Sequence, residues 1–165
     1  MDTTLRQRPR TRADAQIEWA IGNFLMYAQD QLPHLRPGSE AAALYVGRRL
    51  DQAWRALEWW GMRWLERDDT HIVLSRAGAL VGAPPTAVME SSFDAMDPPE
   101  AAHRSLILAG DAVAEATLTP VSIASSLSVA RLHFSAYRLS KYRWLTTVAR
   151  NDHQLRGPAY QWWEA

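Results

Sequence analysis

The sequence predicts an all-α protein, a helical bundle of four main helices with one or two short helices inserted at about 75–96. Two long segments repeat apolar residues three and four positions apart, the spacing of helices that pack along each other. Capping residues and prolines stand where such helices would begin, and the apolar–polar alternation of strands is almost absent. With 165 residues, 47% of them hydrophobic, residues 1–165 are expected to form a single helical domain.

The first main helix is predicted at about 12–31. Thr11 and Asp14 have the spacing of a capping box, in which side-chain oxygens meet the free backbone N–H groups of the first turn. Pro33 then ends the helix. Its apolar positions recur at helical spacing, at Ile17, Ile21, Phe24, Ala28 and Leu32.

The second main helix is predicted at about 39–67, with Ser39 as its cap. Its apolar residues form one seam: Val46, Leu50, Ala53, Leu57, Trp60 and Trp64. Trp54 and Trp59 lie off this seam, so each needs a second packing surface or is exposed. Asp51 and Arg55, four residues apart, are expected to pair on the polar side.

The third main helix is predicted at about 99–116, after Pro98 and Pro99, and the fourth at about 120–150, with Thr119 as cap and Pro120 in its first position. The fourth helix also has a seam, which is apolar at every position except Lys141. Its residues are Ile123, Leu127, Ala130, Phe134, Tyr137, Lys141, Trp144 and Val148. This seam favours one continuous helix that packs along the second one. Residues 1–11 form a basic arm, and residues 154–165 a tail that contains Trp162 and Trp163.

The same stretch also resembles the helix-turn-helix of DNA-binding proteins. The residues that carry the resemblance are Ile123, Ala124, Leu127, Ser128, Val129, Phe134 and Tyr137, with Ser128 at the turn position where glycine is usual. The resemblance implies a DNA-binding transcriptional regulator that uses residues 120–143. Its second helix would present Arg131, Ser135 and Arg138 to the major groove, Lys141 and Arg143 would lie near phosphates, and Arg6, Arg8 and Arg10 would form an accessory arm.

A weaker alternative is a metal-dependent helical-bundle enzyme. Glu100 and His103 share one helix face with Asp111, as in half of a di-iron site, but the chain has no second Glu-x-x-His. It also has no cysteine and no phosphate-binding or nucleophile motif. We therefore predict no catalytic residue, no metal and no cofactor.

The distribution of charge and tryptophan favours a non-enzymatic regulatory or adaptor protein that binds a macromolecular partner. Net charge is zero, but residues 71–116 hold two basic against six acidic side chains, and residues 117–165 hold six basic against two acidic. The eight tryptophans exceed what one seam can bury, and Trp54, Trp59, Trp162 and Trp163 are the candidates for contact with a protein partner or a second copy, most simply in a dimer. The N-terminus lacks the apolar core of a secretory signal, which predicts a soluble, cytoplasmic protein.

Overall fold

A computed structural model of the chain describes residues 11–66 and 96–156, with side chains up to residue 151. Four helices account for nearly all of these residues: α1 (Arg12–Gln31), α2 (Glu40–Glu66), α3 (Pro98–Ala114) and α4 (Pro120–Arg156). The described ranges contain no strand, and the helices pack on one another, which confirms the predicted all-α bundle. The inserted helices predicted up to residue 95, the basic arm up to residue 10 and the tail from residue 157 lie outside the described residues.

The helix ends follow the predicted capping signals. The backbone N–H of Asp14 donates to Thr11 Oγ1 at 3.1 Å, and the N–H of Thr11 donates to Asp14 Oδ2 at 3.0 Å, so the capping box is complete. At the other end of α1, Leu32–His34 forms one 3₁₀ turn, and Gly38 takes the left-handed conformation that lets the chain reverse into α2. Thr119 Oγ1 accepts from the N–H of Ser122 at 3.2 Å at the start of α4.

The fourth helix is continuous, and the two-helix interpretation of residues 120–143 is therefore wrong. Helical backbone runs through Ser128–Arg131 without a turn and continues to Arg156, six residues beyond the predicted end. At the supposed turn, the Ser128 hydroxyl donates to the carbonyl of Ala124 at 2.9 Å, a bond along the helix axis. No glycine interrupts the helix at this position. Burial of the apolar seam therefore favours one continuous helix.

Contacts between named residues give the directions of the helices. On α1 and α2, Asp14 meets Trp64 and Gln31 meets Ala43, so these two helices are antiparallel. On α2 and α4, Glu58 meets Arg131 and Asp51 meets Arg138, so this pair is antiparallel too. The α2 residues seen in contact with α4 lie beside the predicted α2 seam and not on it: Gly47, Asp51, Trp54, Glu58 and Gly61. α3 is joined to α4 by the short link 115–119, and the two helices pack extensively along each other, so they form an antiparallel hairpin. Consequently α2 and α3 run in the same direction.

An aromatic cluster fills the centre of the bundle. Phe24 of α1 meets Trp54 of α2 and Phe134 of α4 edge to face, with ring centroids 5.4 and 5.7 Å apart. Trp54 stacks on Phe134 at 4.8 Å, and Tyr137 lies 5.1 Å from Phe134. All four side chains are buried, and such ring pairs contribute about 0.5–1.5 kcal/mol each beyond the burial of their area. The cluster therefore fixes three helices to one another.

A polar group lies beside this cluster, where α1, α2 and α4 meet. The amide nitrogen of buried Gln31 donates to the carbonyl of Ala43 at 2.8 Å and to the Tyr137 hydroxyl at 2.9 Å. Lys141, half-buried, extends over the Tyr137 ring with its Nζ 5.1 Å from the ring centroid. Its stem occupies the seam position that breaks the apolar pattern, and Gly47 of α2 leaves the space that the ammonium group occupies. Burial lowers the pKa of Lys141 and raises that of Tyr137.

Candidate protein-binding surface

The arginines proposed to read DNA bases instead pair with acidic residues of α2. Arg131 forms an ion pair with Glu58 at 2.8 Å, and Arg138 forms one with Asp51 at 3.2 Å. The Arg138 guanidinium also lies over the Phe134 ring, 5.0 Å from its centroid. The expected pair of Asp51 with Arg55 does not form, since Arg138 of another helix takes the carboxylate.

The other DNA-contact candidates differ in exposure. Ser135 and Arg143 are exposed on α4, whereas Lys141 is half-buried with its ammonium group against Gly47 of α2. Arg6, Arg8 and Arg10 lie outside the described residues. The two-helix geometry on which the DNA-binding interpretation depends is absent from this stretch.

The residues of the metal hypothesis stay apart as well. Glu100 and Asp111 are exposed on α3, and His103 is half-buried. Within residues 11–66 and 96–151, no three histidine, aspartate or glutamate side chains come close enough together to hold an ion.

The four tryptophans proposed as partner contacts have different outcomes. Trp54 is only 2% exposed and belongs to the central aromatic cluster, so its assignment as a partner contact is wrong. Trp59 is 57% exposed and remains a candidate. Trp162 and Trp163 lie outside the part of the chain that the structure describes.

Several exposed aromatic, methionine and arginine side chains lie on the outward sides of α1 and α2, and a further exposed aromatic, Tyr142, lies on α4. Trp19, which the sequence analysis did not single out, is 59% exposed on α1, opposite the buried face formed by Ile17, Ala20 and Phe24. We define the aromatic–arginine surface by its exposed members: Trp19 and Met26 of α1, and Tyr45, Arg48, Arg49, Arg55, Trp59, Met62 and Arg63 of α2.

Two aromatic–arginine pairs repeat along α2. The Arg49 guanidinium lies over the Tyr45 ring at 5.1 Å and donates to the Tyr45 hydroxyl at 2.8 Å. Four helical turns further on, the Arg63 guanidinium lies over the Trp59 ring at 5.0 Å. The fourteen residues from Tyr45 to Trp59 span about 21 Å of helix at 1.5 Å per residue. Each pair restrains two side chains while both stay exposed, which lowers the entropy cost of binding something to them.

The arginines of this surface form no ion pair among the described residues, and the acidic side chains Glu18, Asp30 and Glu66 lie on the same two helices. Between Tyr45 and Arg63, α2 contains two acidic residues, Asp51 and Glu58, and both pair with arginines of α4. Arg48, Arg49, Arg55 and Arg63 form no ion pair with any residue in the described ranges.

The two exposed tryptophans of this surface, Trp19 and Trp59, lie at the same level along the axis of the α1–α2 pair. Asp14 contacts Trp64, and Phe24 contacts Trp54, so the antiparallel register of α1 and α2 places Trp19 level with Trp59. In the sequence, an arginine follows an aromatic residue by four positions at Tyr45–Arg49 and at Trp59–Arg63, so these pairs could have been found there. Trp19 was also visible, as a large apolar residue on the polar side of a helix.

Comparison with protein-family models, with curated protein sequences and with solved structures finds no significant match to this chain. Of the helices in the described residues, none combines the length and the apolar character that a membrane-spanning segment requires.

Proposed function

We propose that this chain is a non-enzymatic binding module, an adaptor or regulatory protein that docks a protein partner on the aromatic–arginine surface. The observation that carries the proposal is the joint exposure of Trp19 and Trp59 at one level of the α1–α2 pair, with exposed Met26, Met62 and arginines on the same two helices. Tyrosine, tryptophan, methionine and arginine are the residues enriched at protein interfaces. Lysine, which is depleted there, is absent from this surface.

The energetics of exposure support the same conclusion. Leaving a tryptophan more than half exposed forfeits part of the stabilisation, about 1.5–3 kcal/mol, that burial of a large apolar side chain provides. A single exposed apolar residue is ordinary, but a contiguous apolar group rimmed by charge is typical of an interaction site. Exposed large apolar side chains also occur on the other helices, at Ile107 of α3 and at Val121, Leu139 and Tyr142 of α4.

Site-specific photocrosslinking tests the proposal. A photoreactive amino acid at Gln52, exposed on α2 between the two aromatic–arginine pairs, should capture a discrete protein in the source cells. The same group at exposed Arg104 of α3 should not. Trp59→Ala should abolish the crosslink from Gln52, whereas Ile107→Ala, which removes an exposed apolar side chain elsewhere, should leave it intact. Crosslinks of equal yield from both positions would contradict the proposal.

A quantitative test follows once the crosslinked protein is identified. Trp19→Ala and Trp59→Ala should each weaken its binding by about 2 kcal/mol or more, the threshold of an interface hot spot. Because both side chains are exposed, each substitution should change the free energy of unfolding by no more than about 0.5 kcal/mol. Calorimetric titration and urea unfolding of the same variants separate the two effects.

A further inference from the structure

The side of α4 that faces away from the bundle carries a row of apolar side chains that stay exposed. Val121 is 61% exposed, Leu139 44% and Tyr142 65%. They belong to a set of positions spaced alternately four and three residues apart, which share one face of a helix. We call this set the α4 outer face: Val121, Ser125, Ser128, Leu132, Ser135, Leu139, Tyr142 and Thr146. It is turned away from the buried seam of α4, which includes Leu127, Phe134 and Tyr137.

The α4 outer face contains no charged side chain between Val121 and Tyr142. The two arginines in this part of the helix, Arg131 and Arg138, pair instead with carboxylates of α2. A solvated helix face normally carries charged residues, whereas a heptad-spaced face without them is typical of contact with another helix. A nucleic acid, in contrast, would need cations along the surface that it follows.

The order of large and small side chains along the α4 outer face is complementary to the same face read in reverse. We consider two α4 helices that run antiparallel, with Leu132 of one level with Ser135 of the other. In this register each layer pairs a large side chain with a small one: Leu132 with Ser135, Leu139 with Ser128, and Tyr142 with Ser125. Alternating large and small residues across facing positions lets the layers interdigitate. A parallel pair would instead place serine on serine at three layers.

The charges at the two ends of α4 also favour an antiparallel pair. Arg143 and Arg150 are exposed towards its C-terminal end, and neither forms an ion pair within residues 11–66 and 96–151. The N-terminal end of α4 adjoins the end of α3, where Asp111 and Glu115 are exposed and form no ion pair in the same ranges. An antiparallel second copy brings the basic end of one protomer beside the acidic end of the other, and two-fold symmetry repeats this contact.

We infer that the α4 outer face binds a second copy of this chain, in an antiparallel, two-fold arrangement. Leu139 of each protomer packs against Ser128 of the other. This contact uses no residue of the aromatic–arginine surface, so the dimer leaves that surface free, and the inference is independent of the function proposed above. The predicted tail follows α4 in the sequence, so the tail and the α4 outer face can contribute to the same dimer.

Disulfide trapping tests the arrangement, because the chain contains no cysteine that would compete. When the variants Ser128→Cys and Leu139→Cys are mixed and oxidised, a disulfide should join one variant to the other. Neither variant should crosslink with itself, since the two like positions are about 16 Å apart along the helix axis in the antiparallel register, beyond the reach of a disulfide. Ser128→Cys mixed with Ile107→Cys, at an exposed position of α3, is the matched control and should give no crosslink.

A charge in the contact should abolish the dimer. Leu139→Glu places a carboxylate of each protomer in the contact and should convert the dimer into a monomer in sedimentation at micromolar concentration. Ile107→Glu, the same charge at an exposed apolar position of α3, should leave the mass unchanged. Both positions are exposed, so both variants should fold, which circular dichroism checks.

The outcomes separate the possible occupants of the α4 outer face. Crosslinking of each cysteine variant with itself would overturn the antiparallel arrangement, and a dimer that persists in Leu139→Glu would overturn the contact. A full chain that remains a monomer would overturn the inference as a whole. If Leu139→Glu then lowers the free energy of unfolding of that monomer, another segment of the same chain covers the face.

Discussion

Gly61 of α2 lies against Leu127 of α4 with no room for a side chain. A methyl group at this position would overlap Leu127 Cδ1 and would lie 3.6 Å from Ile17 Cδ1. We expect Gly61→Ala to lower the free energy of unfolding by about 1–3 kcal/mol, the usual cost of an overfilled core. In a Leu127→Ala background the clash disappears, and the same change should be neutral or stabilising by up to about 1 kcal/mol, since alanine favours helix over glycine.

Urea unfolding of the four proteins in this double-mutant cycle measures the coupling. A cost for Gly61→Ala that stays the same with and without Leu127 would show that the two residues do not touch.

His133 is expected to make the stability of the fold depend on pH. Its Nδ1 is buried without a hydrogen-bond partner among the described residues, and burial lowers its pKa below the usual value of about 6.5. The unfolded chain therefore takes up the proton more readily than the folded one, and acid favours unfolding. Stability should be unaffected by this residue above pH 6.5 and should fall below it, by at most about 1.4 kcal/mol per pH unit for one proton.

Urea unfolding between pH 5.5 and 7.5 tests this dependence. His133→Gln should flatten the decline, and His103→Gln, the same substitution on α3, should retain it. If the free energy of unfolding falls equally with acid in His133→Gln, another titrating group causes the pH dependence.

At the scale of the elements, the continuity of α4 has a measurable signature at Ser128. In a continuous helix, Ser128→Gly should lower the free energy of unfolding by about 0.5 kcal/mol or slightly more, because glycine is the poorer helix former. Ser125→Gly, one turn earlier and exposed, should cost a similar amount. A turn at Ser128 would instead make glycine neutral or favourable there. Thermal melts of the two variants decide between these structures.

The helices themselves were predictable because their signals are local. The capping signals act on backbone groups within one helical turn, as at Thr11 with Asp14 and at Thr119 with Pro120. The spacing of these residues in the sequence therefore determines their geometry in the structure. Apolar seams are local too, and they gave the correct choice of one helix for residues 120–150.

The contacts between helices were less predictable because they depend on which neighbours meet. A single seam assigns Trp54 to the outside of α2, but α2 packs on both α1 and α4, so its buried arc is wider than one seam. Similarly, Asp51 has Arg55 within reach along the helix, yet it pairs with Arg138 from α4. The binding surface on α1 and α2 requires the register of these helices, which no local signal contains.

At the scale of the whole molecule, the sequence predicts a dimer. Two of the apolar candidates for self-association, Trp162 and Trp163, belong to the predicted tail. We expect deletion of residues 160–165 to convert a dimer into a monomer, whereas Arg55→Glu should leave the mass unchanged. Sedimentation at micromolar concentration measures both. A monomer for the full chain would refute the predicted dimer.

Lys141 gives the protein a built-in chemical reporter. It is the only lysine in the sequence, so an amine-directed reagent has one side-chain target, distinguishable by mass spectrometry from the N-terminal amine. The Lys141 ammonium group lies between α2 and α4, against Gly47. Acylation should therefore require these two helices to separate, and its rate should report how often they do so. The labelling rate of the native protein, with no denaturant, would then report how often the bundle opens. A ligand that binds the outward side of α2 and stabilises this helix should make the opening rarer. It should therefore slow the acylation of Lys141 without contacting it.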